Sequence, residues 1–261
     1  MSVRFEMDGQ VAIATFAAPP MNLLTVEAIE AFGNAAQAAL DANARAFLTL
    51  AEGDHFCAGA DVLSNFVGKD SNFGRRMLAN AFAIIHKVEH LPIPTVVAVR
   101  GLCLGGGCEL MQLHDIVLVG EGAGIGQVEA QIATSTLLGG ASRLVSKIGA
   151  ARAKEMVFSA DIYDAKTLLA WGLVNKVYLD ADVEAEARAY AQKLAAGPTV
   201  AYRYAKALIN TAVANGVGAA DLFAMEVTPQ TFDTEDMRNA TKRFAELGPR
   251  KFRDGLAFKG R

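Results

Sequence analysis

Val3, Phe5 and Met7 alternate with polar residues, and Val11, Ile13 and Thr15 resume the alternation beyond Asp8-Gly9. Period-two patterning on either side of an Asp-Gly turn predicts that the chain opens with a β-hairpin. After the Pro19-Pro20 break, Thr25 stands at a helix N-cap position, and Val26, Ile29, Phe32, Ala36 and Leu40 follow at helical spacing. Ala46 to Leu50 is short and almost wholly apolar, which suits a strand covered on both faces within a parallel layer. These patterns together predict a β-α-β unit.

A second round of the same pattern follows. Leu78, Ala81, Phe82, Ile85, Val88 and Leu91 recur at three- and four-residue steps, and the helix they predict must stop before Pro92 and Pro94. Thr95 to Val99 reads as a second buried strand, Gly101 to Gly107 as a glycine-rich turn, Cys108 to Leu113 as a short helix and Ile116 to Val119 as a third strand. From Gly139-Gly140 onward the signals are almost wholly helical, over 142–148, 151–158, 165–171, 183–196, 199–215 and 219–247, the last broken near Pro229. No Ser/Gly/Pro-rich linker intervenes. The expectation is an α/β core over residues 1–195 and a helical C-terminal region over 196–261.

Composition narrows the chemistry. A chain of 261 residues that is 52% apolar and 20% charged buries a full core without metal or disulfide staples. Its 25 Lys+Arg against 28 Asp+Glu leave a net charge of −3, so no basic field draws it to nucleic acid or an anionic membrane. Cys57, Cys103 and Cys108 are odd in number and lack ligand spacing, which argues against a disulfide framework and a zinc site. Met1 to Gln10 carries Arg4, Glu6 and Asp8, so there is no secretory apolar stretch, and no run approaches the ~18 apolar residues of a membrane span. A soluble, cytoplasmic protein is expected. His86 and His90 form a helical i, i+4 pair, but with no HExxH and no third ligand nearby no metal is expected. The glycine-rich stretches match neither GxxxxGK[ST] nor GxGxxG, and no GxSxG is present, which removes the phosphate-loop, dinucleotide and serine-hydrolase readings.

Two loops remain. His55-Phe56-Cys57-Ala58-Gly59-Ala60-Asp61 follows one buried strand, and Leu104-Gly105-Gly106-Gly107-Cys108-Glu109 follows another. Both lie beyond the carboxyl ends of strands, where open α/β sheets bind ligands. Small residues there let a substrate approach the main chain, and a helix starting at Gly107 aims free N–H groups at a developing oxyanion.

The segments HFCAGAD (55–61), GLCLGGGCEL (101–110), GQVE (126–129), Gly139-Gly140, WGLVNKV (171–177) and FKGR (258–261) resemble, in order and spacing, the enoyl-CoA hydratase/isomerase (crotonase) superfamily over essentially the whole chain. The resemblance implies an α/β fold, a spiral of β-β-α units whose helical C-terminal region builds homotrimers, often paired into homohexamers. It implies an acyl-CoA thioester as substrate, no separate cofactor, and a thioester oxygen held by the backbone N–H groups of Ala60 and Gly106. Glu109 and Glu129 fall where hydratases keep two catalytic glutamates, Glu109 to activate water and Glu129 to handle the α-carbon proton. It also implies CoA contacts at Met21, Ala58, Ala60 and Asp61, with Phe244 and Lys259 near the adenine. Phe66 and Phe73, on a mobile segment spanning 62–76, are expected to line the acyl pocket with Leu137 and Leu138. Trp171 reads as core.

The chemistry joins these parts. Water addition to a 2-enoyl thioester places negative charge on the thioester oxygen, and two fixed N–H donors stabilise it. Two carboxyls on one water can then handle both protons if shared burial keeps one of them protonated. The expected activity is enoyl-CoA hydration. Enoyl isomerisation, or hydration of a cyclic or dienoyl thioester, is the alternative on the same scaffold. A non-catalytic CoA- or RNA-binding homologue would show a lost glutamate or surplus Lys/Arg, and neither is seen. Departures from the family pattern sit at Leu63, where relatives often place a lysine for the ribose phosphate, and in the short Pro19-Pro20-Met21-Asn22 turn. Lys69 and Arg75 are candidates to replace that cation. Thr136-Leu137-Leu138-Gly139-Gly140 stands where PGAGG is common, and GQVE where GQPE is.

Overall fold

The computed structural model describes residues 2–261; Met1, the first residue of the segment read as lacking a secretory stretch, lies outside them. β1 (Val3–Asp8) and β2 (Val11–Phe16) form the expected antiparallel hairpin, with Asp8 opposite Val11. Val3 is buried and Met7 exposed on β1, whereas every residue of β2 is buried. The alternation expected for β2 fails because this strand is interior. It lies between β1 and the parallel β3 (Ala46–Ala51). Its Ala12, Ala14 and Phe16 join the core that contains Phe32 of α1 (Val26–Asp41). Its Val11 and Ile13 join Leu48 of β3 and Ala187 and Ala191 in the other core. Thr25 caps α1, its hydroxyl accepting the Ala28 N–H at 3.2 Å.

The six-stranded sheet runs β1-β2-β3-β4-β6-β9, with β4 at Thr95–Val99, β6 at Ile116–Gly120 and β9 at Lys176–Tyr178. All pairings after the hairpin are parallel. A smaller sheet holds β5 (Leu102–Leu104), β7 (Gly124–Gly126) and β8 (Tyr163–Asp164). Each turn of chain gives one strand to the large sheet, one to the small sheet and then a helix. β4 and β5 precede α4 (Gly106–Met111), and β6 and β7 precede α5 (Gly140–Ser159). Cys57, after β3, pairs with Cys103 in a parallel bridge and so adds a residue to the small sheet. This succession is a spiral of β-β-α units.

Four strands escaped the sequence reading. β5, β7 and β9 have three residues each and β8 two, too few for a period-two pattern to register. The second half is therefore not purely helical. The segment 62–76, expected to be a mobile loop, is largely helix. Asp61 caps the short α2 (Val62–Asn65), and Asp70 caps α3 (Ser71–Glu89), accepting the Phe73 N–H at 2.9 Å. Its Ser and Asn residues occupy helix-initiating positions as readily as loop positions. Leu91, read as the last helical apolar residue, lies past the end of α3 yet is buried.

Beyond α6 (Ala165–Trp171) and α7 (Val183–Ala195) come α8 (Thr199–Asn215), α9 (Val217–Val227), a 3₁₀ turn carrying Pro229, and α10 (Glu235–Lys251). Two contacts tie these helices to the α/β layers. Lys206 Nζ reaches Asp115 Oδ2 at 2.8 Å. The Arg45 guanidinium, 8% exposed, donates to Thr199 Oγ1 (2.8 Å), Gly197 O (2.5 Å) and Phe258 O (3.1 Å). Among the described residues no helix is long and apolar enough to cross a membrane.

Gly107 sets the distance between α4 and the loop after β3. A Cβ there would overlap the Cys57 carbonyl oxygen and lie 2.9 Å from Cys57 Cβ. Gly107→Ala is expected to lower the free energy of unfolding by about 2 kcal/mol, since added volume in a packed contact forces backbone shifts. Gly74→Ala, in α3 with open space around it, is expected to raise it by up to about 1 kcal/mol through helix propensity. Urea midpoints at constant slope read both, and an unchanged midpoint for Gly107→Ala would show that the two loops part freely.

Candidate active site

Asn22 anchors the first loop. This residue, 1% exposed, donates through Nδ2 to Glu52 O (2.9 Å) and His55 O (2.8 Å) and accepts the Ala18 N–H at 2.9 Å. The next residues run beside it: Ala58 N–H donates to Met21 O, Leu24 N–H to Gly59 O and Asp61 N–H to Leu24 O, each at 2.9 Å. The Ala60 N–H is left without a protein acceptor among the described residues. In the second loop the Leu104 N–H donates to Cys57 O (2.9 Å) and the Gly105 N–H to Gly126 O (2.8 Å), and the Gly106 N–H is likewise unspent. A Cβ on Gly106 would lie 3.9 Å from Ala60 N, so the two free donors border one space. Gly105, at φ 50°, makes the turn that starts α4 one residue earlier than expected.

Glu109, on α4, is 1% exposed. Its Oε1 accepts the N–H groups of Leu138 and Gly140, both at 2.8 Å, and Oε2 accepts that of Leu137 at 3.4 Å. Burial pushes its pKa above the usual carboxylate range, while these donors and the Arg143 charge pull against that rise. Glu129 opens a 3₁₀ turn (Glu129–Ile132) after β7 and is half-buried. Burial, with the Glu109 charge adding to it, pushes it up to about 7. Backbone donors favour the charged form of Glu109, whereas Glu129 has a single backbone N–H, its own, to offset burial and the neighbouring charge.

Both carboxyls line a cleft of about 840 Å³ together with Ala58, Gly59, Ala60, Gly105 and Gly106. Phe66, Leu137 and Leu138 line it as expected. Phe73 does not. It sits in the first turn of α3 under Lys69 Nζ, 4.8 Å from the ring centroid, and Met77 and Leu78, about one turn further along the helix, line the cleft in its place. Because 71–76 is helical, its side chains point by helical phase. The apolar step that marked Leu78 as core-facing was the signal for this wall.

Met21 and Asp61 flank the cleft without lining it, and the Ala58 and Asp61 N–H groups are taken within the chain. Leu63 is 78% exposed, Lys69 and Arg75 are exposed, and Arg75 is engaged by Asn72. Phe244 packs edge-on against Phe252, and Lys259 pairs with Glu235. Neither lines the cleft of its own chain. Trp171 is half-buried at the edge of the core, 4.8 Å from the Tyr163 ring. The cysteines are free and buried. Contrary to the sequence reading, a third potential ligand does stand beside His86 and His90, namely Glu89. Each of its oxygens accepts from Arg143, at 2.8 and 2.6 Å. Asn65 and Gln127, both buried, were given no role from the sequence, Gln127 although it stands in the GQVE segment beside Glu129.

Comparison with known proteins agrees with this geometry. The profile of the enoyl-CoA hydratase/isomerase family matches residues 6–255. A short-chain-enoyl-CoA hydratase of Clostridium acetobutylicum is 29% identical over 94% of this chain and 95% of its own. The human mitochondrial methylglutaconyl-CoA hydratase is 34% identical over 76% of this chain and 59% of its own. Among solved structures, an enoyl-CoA hydratase subunit from Geobacillus kaustophilus superposes with a TM-score of 0.92 at 27% identity, covering 100% of this chain and 99% of its own. That of Bacillus anthracis superposes at 0.90 and 25% identity, covering 100% of both. Two unspent N–H groups, a pair of glutamates and a crotonase-type spiral thus coincide in one chain, which belongs to the enoyl-CoA hydratase/isomerase family.

Proposed function

We propose that the protein catalyses the reversible addition of water to a 2-enoyl-CoA thioester, giving a 3-hydroxyacyl-CoA. The convergence of Glu109 and Glu129 on a cleft bordered by the unspent N–H groups of Ala60 and Gly106 carries this reading. The thioester oxygen lies between the two N–H donors, each worth about 3 kcal/mol as enolate charge develops. Glu109, charged under its backbone donors, takes a proton from water as the water oxygen bonds the β-carbon. Glu129 gives its proton to the α-carbon. The reverse reaction exchanges these roles, and both directions need one proton on the pair.

The pantetheine arm runs past Met21, Ala58 and Asp61, meeting carbonyl oxygens where the N–H groups are spent. Phe244 and Lys259 contribute from a neighbouring copy. The apolar side chains exposed on α8, α9 and the 3₁₀ turn, among them Ile209, Val213, Leu222, Met225 and Phe232, fit self-association into a trimer. The acyl end of the cleft is walled by Leu24, Phe66, Met77, Leu78 and Leu138, and no Lys or Arg lines it among the described residues. An uncharged acyl group suits such a wall, because a buried carboxylate would stay unpaired.

Glu109→Gln and Glu129→Gln each keep shape and reach, and each is expected to cut hydration by roughly 10²-fold or more while CoA-ester binding persists. The double variant should fall far short of the product of the two losses, because the residues act as a unit. Mass spectrometry in ¹⁸O-labelled water checks the reaction itself; a 3-enoyl substrate converted without label entering any 3-hydroxyacyl product would replace hydration with isomerisation.

The pH profile follows from the shared proton. Because Glu129 is pushed up to about 7, the pair holds its last proton below neutral pH and loses it as pH rises through that value. The alkaline limb of kcat/KM is expected there, and Glu129→Gln should abolish it. A limb in the ordinary carboxylate range would contradict the assignment.

Replacing Leu137 and Leu138 with Gly and Ala is expected to change the ranking of enoyl groups by about 10-fold. Equal losses on straight, branched and cyclic substrates would assign these leucines to packing alone.

A further inference from the structure

Two buried amides outside this reaction scheme connect the elements that carry the glutamates. Gln112 caps the C-terminal end of α4, and Gln127 directly follows β7, two residues before Glu129. They are 2% and 1% exposed. With its amide oriented by the hydrogen-bond pattern around it, Gln127 turns Nε2 to Glu129, 2.8 Å from Oε1 and 3.0 Å from Oε2, and Oε1 to Gln112 Nε2 at 3.0 Å. Gln112 Nε2 also donates to the Cys108 carbonyl at 3.1 Å, so its two protons have two acceptors. The opposite orientation would set the Gln127 nitrogen 3.0 Å from the Gln112 amide nitrogen, two donors face to face. In a dry site that arrangement is costly, so Gln112 fixes which way Gln127 faces.

We propose that Gln112, acting through Gln127, is a positioning residue that aims Glu129 at the α-carbon and stabilises the carboxylate left when its proton departs. A donor that reaches both oxygens favours the ionised carboxyl, since the protonated form turns one oxygen into a donor itself. The other groups facing Glu129 work against ionisation. Burial and the Glu109 charge on α4 both raise Glu129, and Arg143 of α5 acts on Glu109 instead. Apart from the Glu129 backbone N–H, the Gln127 amide is the donor that offsets this pressure. A second observation supports a role beyond packing. Gln112 Oε1 is buried with no hydrogen-bond partner, at a position where methionine has nearly the same volume and no polar atom to leave unsatisfied.

The inference rests on the role assigned above to Glu129, and its test separates the two. In ligand-free protein with ¹³C-labelled glutamate carboxyls, Glu129 is identified by the resonance lost in Glu129→Gln. Gln112→Met is expected to raise the Glu129 pKa by about one unit and to move the alkaline limb of kcat/KM upward equally. It should lower kcat about 10-fold with KM nearly constant. Gln112→Glu, protonated in this buried site, supplies one O–H donor and is expected to recover activity at low pH and lose it at high pH. An unchanged Glu129 titration and pH limb, with only a lower Tm, would reduce Gln112 to packing and overturn the proposal. If the parent enzyme hydrates no enoyl-CoA, the reaction assignment falls, and the carboxyl titration still decides the relay.

Discussion

The two hydrogen bonds that Glu109 Oε1 accepts from the N–H groups of Leu138 and Gly140 are the constraint around which the cleft is arranged. An ionisable group at 1% exposure costs several kcal/mol unless it is closely partnered. Its partners come from the turn that starts α5, and the turn's shape follows. Gly139 adopts φ 80°, and a Cβ on Gly140 would lie 2.8 Å from Glu109 Cγ and 3.0 Å from Oε1. The positive end of α5 thereby faces the carboxylate. Arg143, one turn into α5, forms a two-point pair with Glu89 of α3, which locks the helix walling the cleft to the helix whose first N–H groups hold Glu109.

The two sheets divide the labour. The large sheet carries apolar cores on both faces and contributes no side chain to the chemistry. The small sheet is where the two loops meet: the Cys57–Cys103 bridge and the close seating of Gly107 on Cys57 hold Ala60 and Gly106 side by side. Preorganised donors stabilise developing charge because they need no rearrangement at the moment of reaction. Here that preorganisation is backbone geometry, which side-chain substitution alone cannot easily retune.

Legibility in the sequence tracked the length of each pattern. The hairpin, α1 and the buried strands β3, β4 and β6 each offered several residues in phase, and the two loops announced themselves by small residues beyond the carboxyl ends of buried strands. β5, β7, β8 and β9 offered two or three residues and left no trace, although three of them build the small sheet beside the cleft. Segment 62–76 misled because Asp, Ser and Asn signal loops and helix starts alike. Phe73 went astray with it, since placing a side chain needs the helical phase and not merely the neighbourhood. Ala60 and Gly106 were legible only through resemblance, because a free N–H depends on where every neighbouring carbonyl ends up. The same holds for Gln112 and Gln127, whose pairing joins residues fifteen apart across two elements.

The buried thiols carry a consequence for how the molecule opens. Cys57 adjoins the Ala58-Gly59-Ala60 loop, Cys108 adjoins Glu109, and Cys103 lies between them on β5. Burial pushes all three thiols up, Cys57 to about 12, so in the closed protein none offers the thiolate that alkylating reagents attack. The C-terminal helices contain no cysteine. Chemical labelling therefore proceeds only as fast as the catalytic loops separate, and it is blind to fraying of the helices beyond residue 196. The enzyme carries its own clock for local unfolding of the catalytic half.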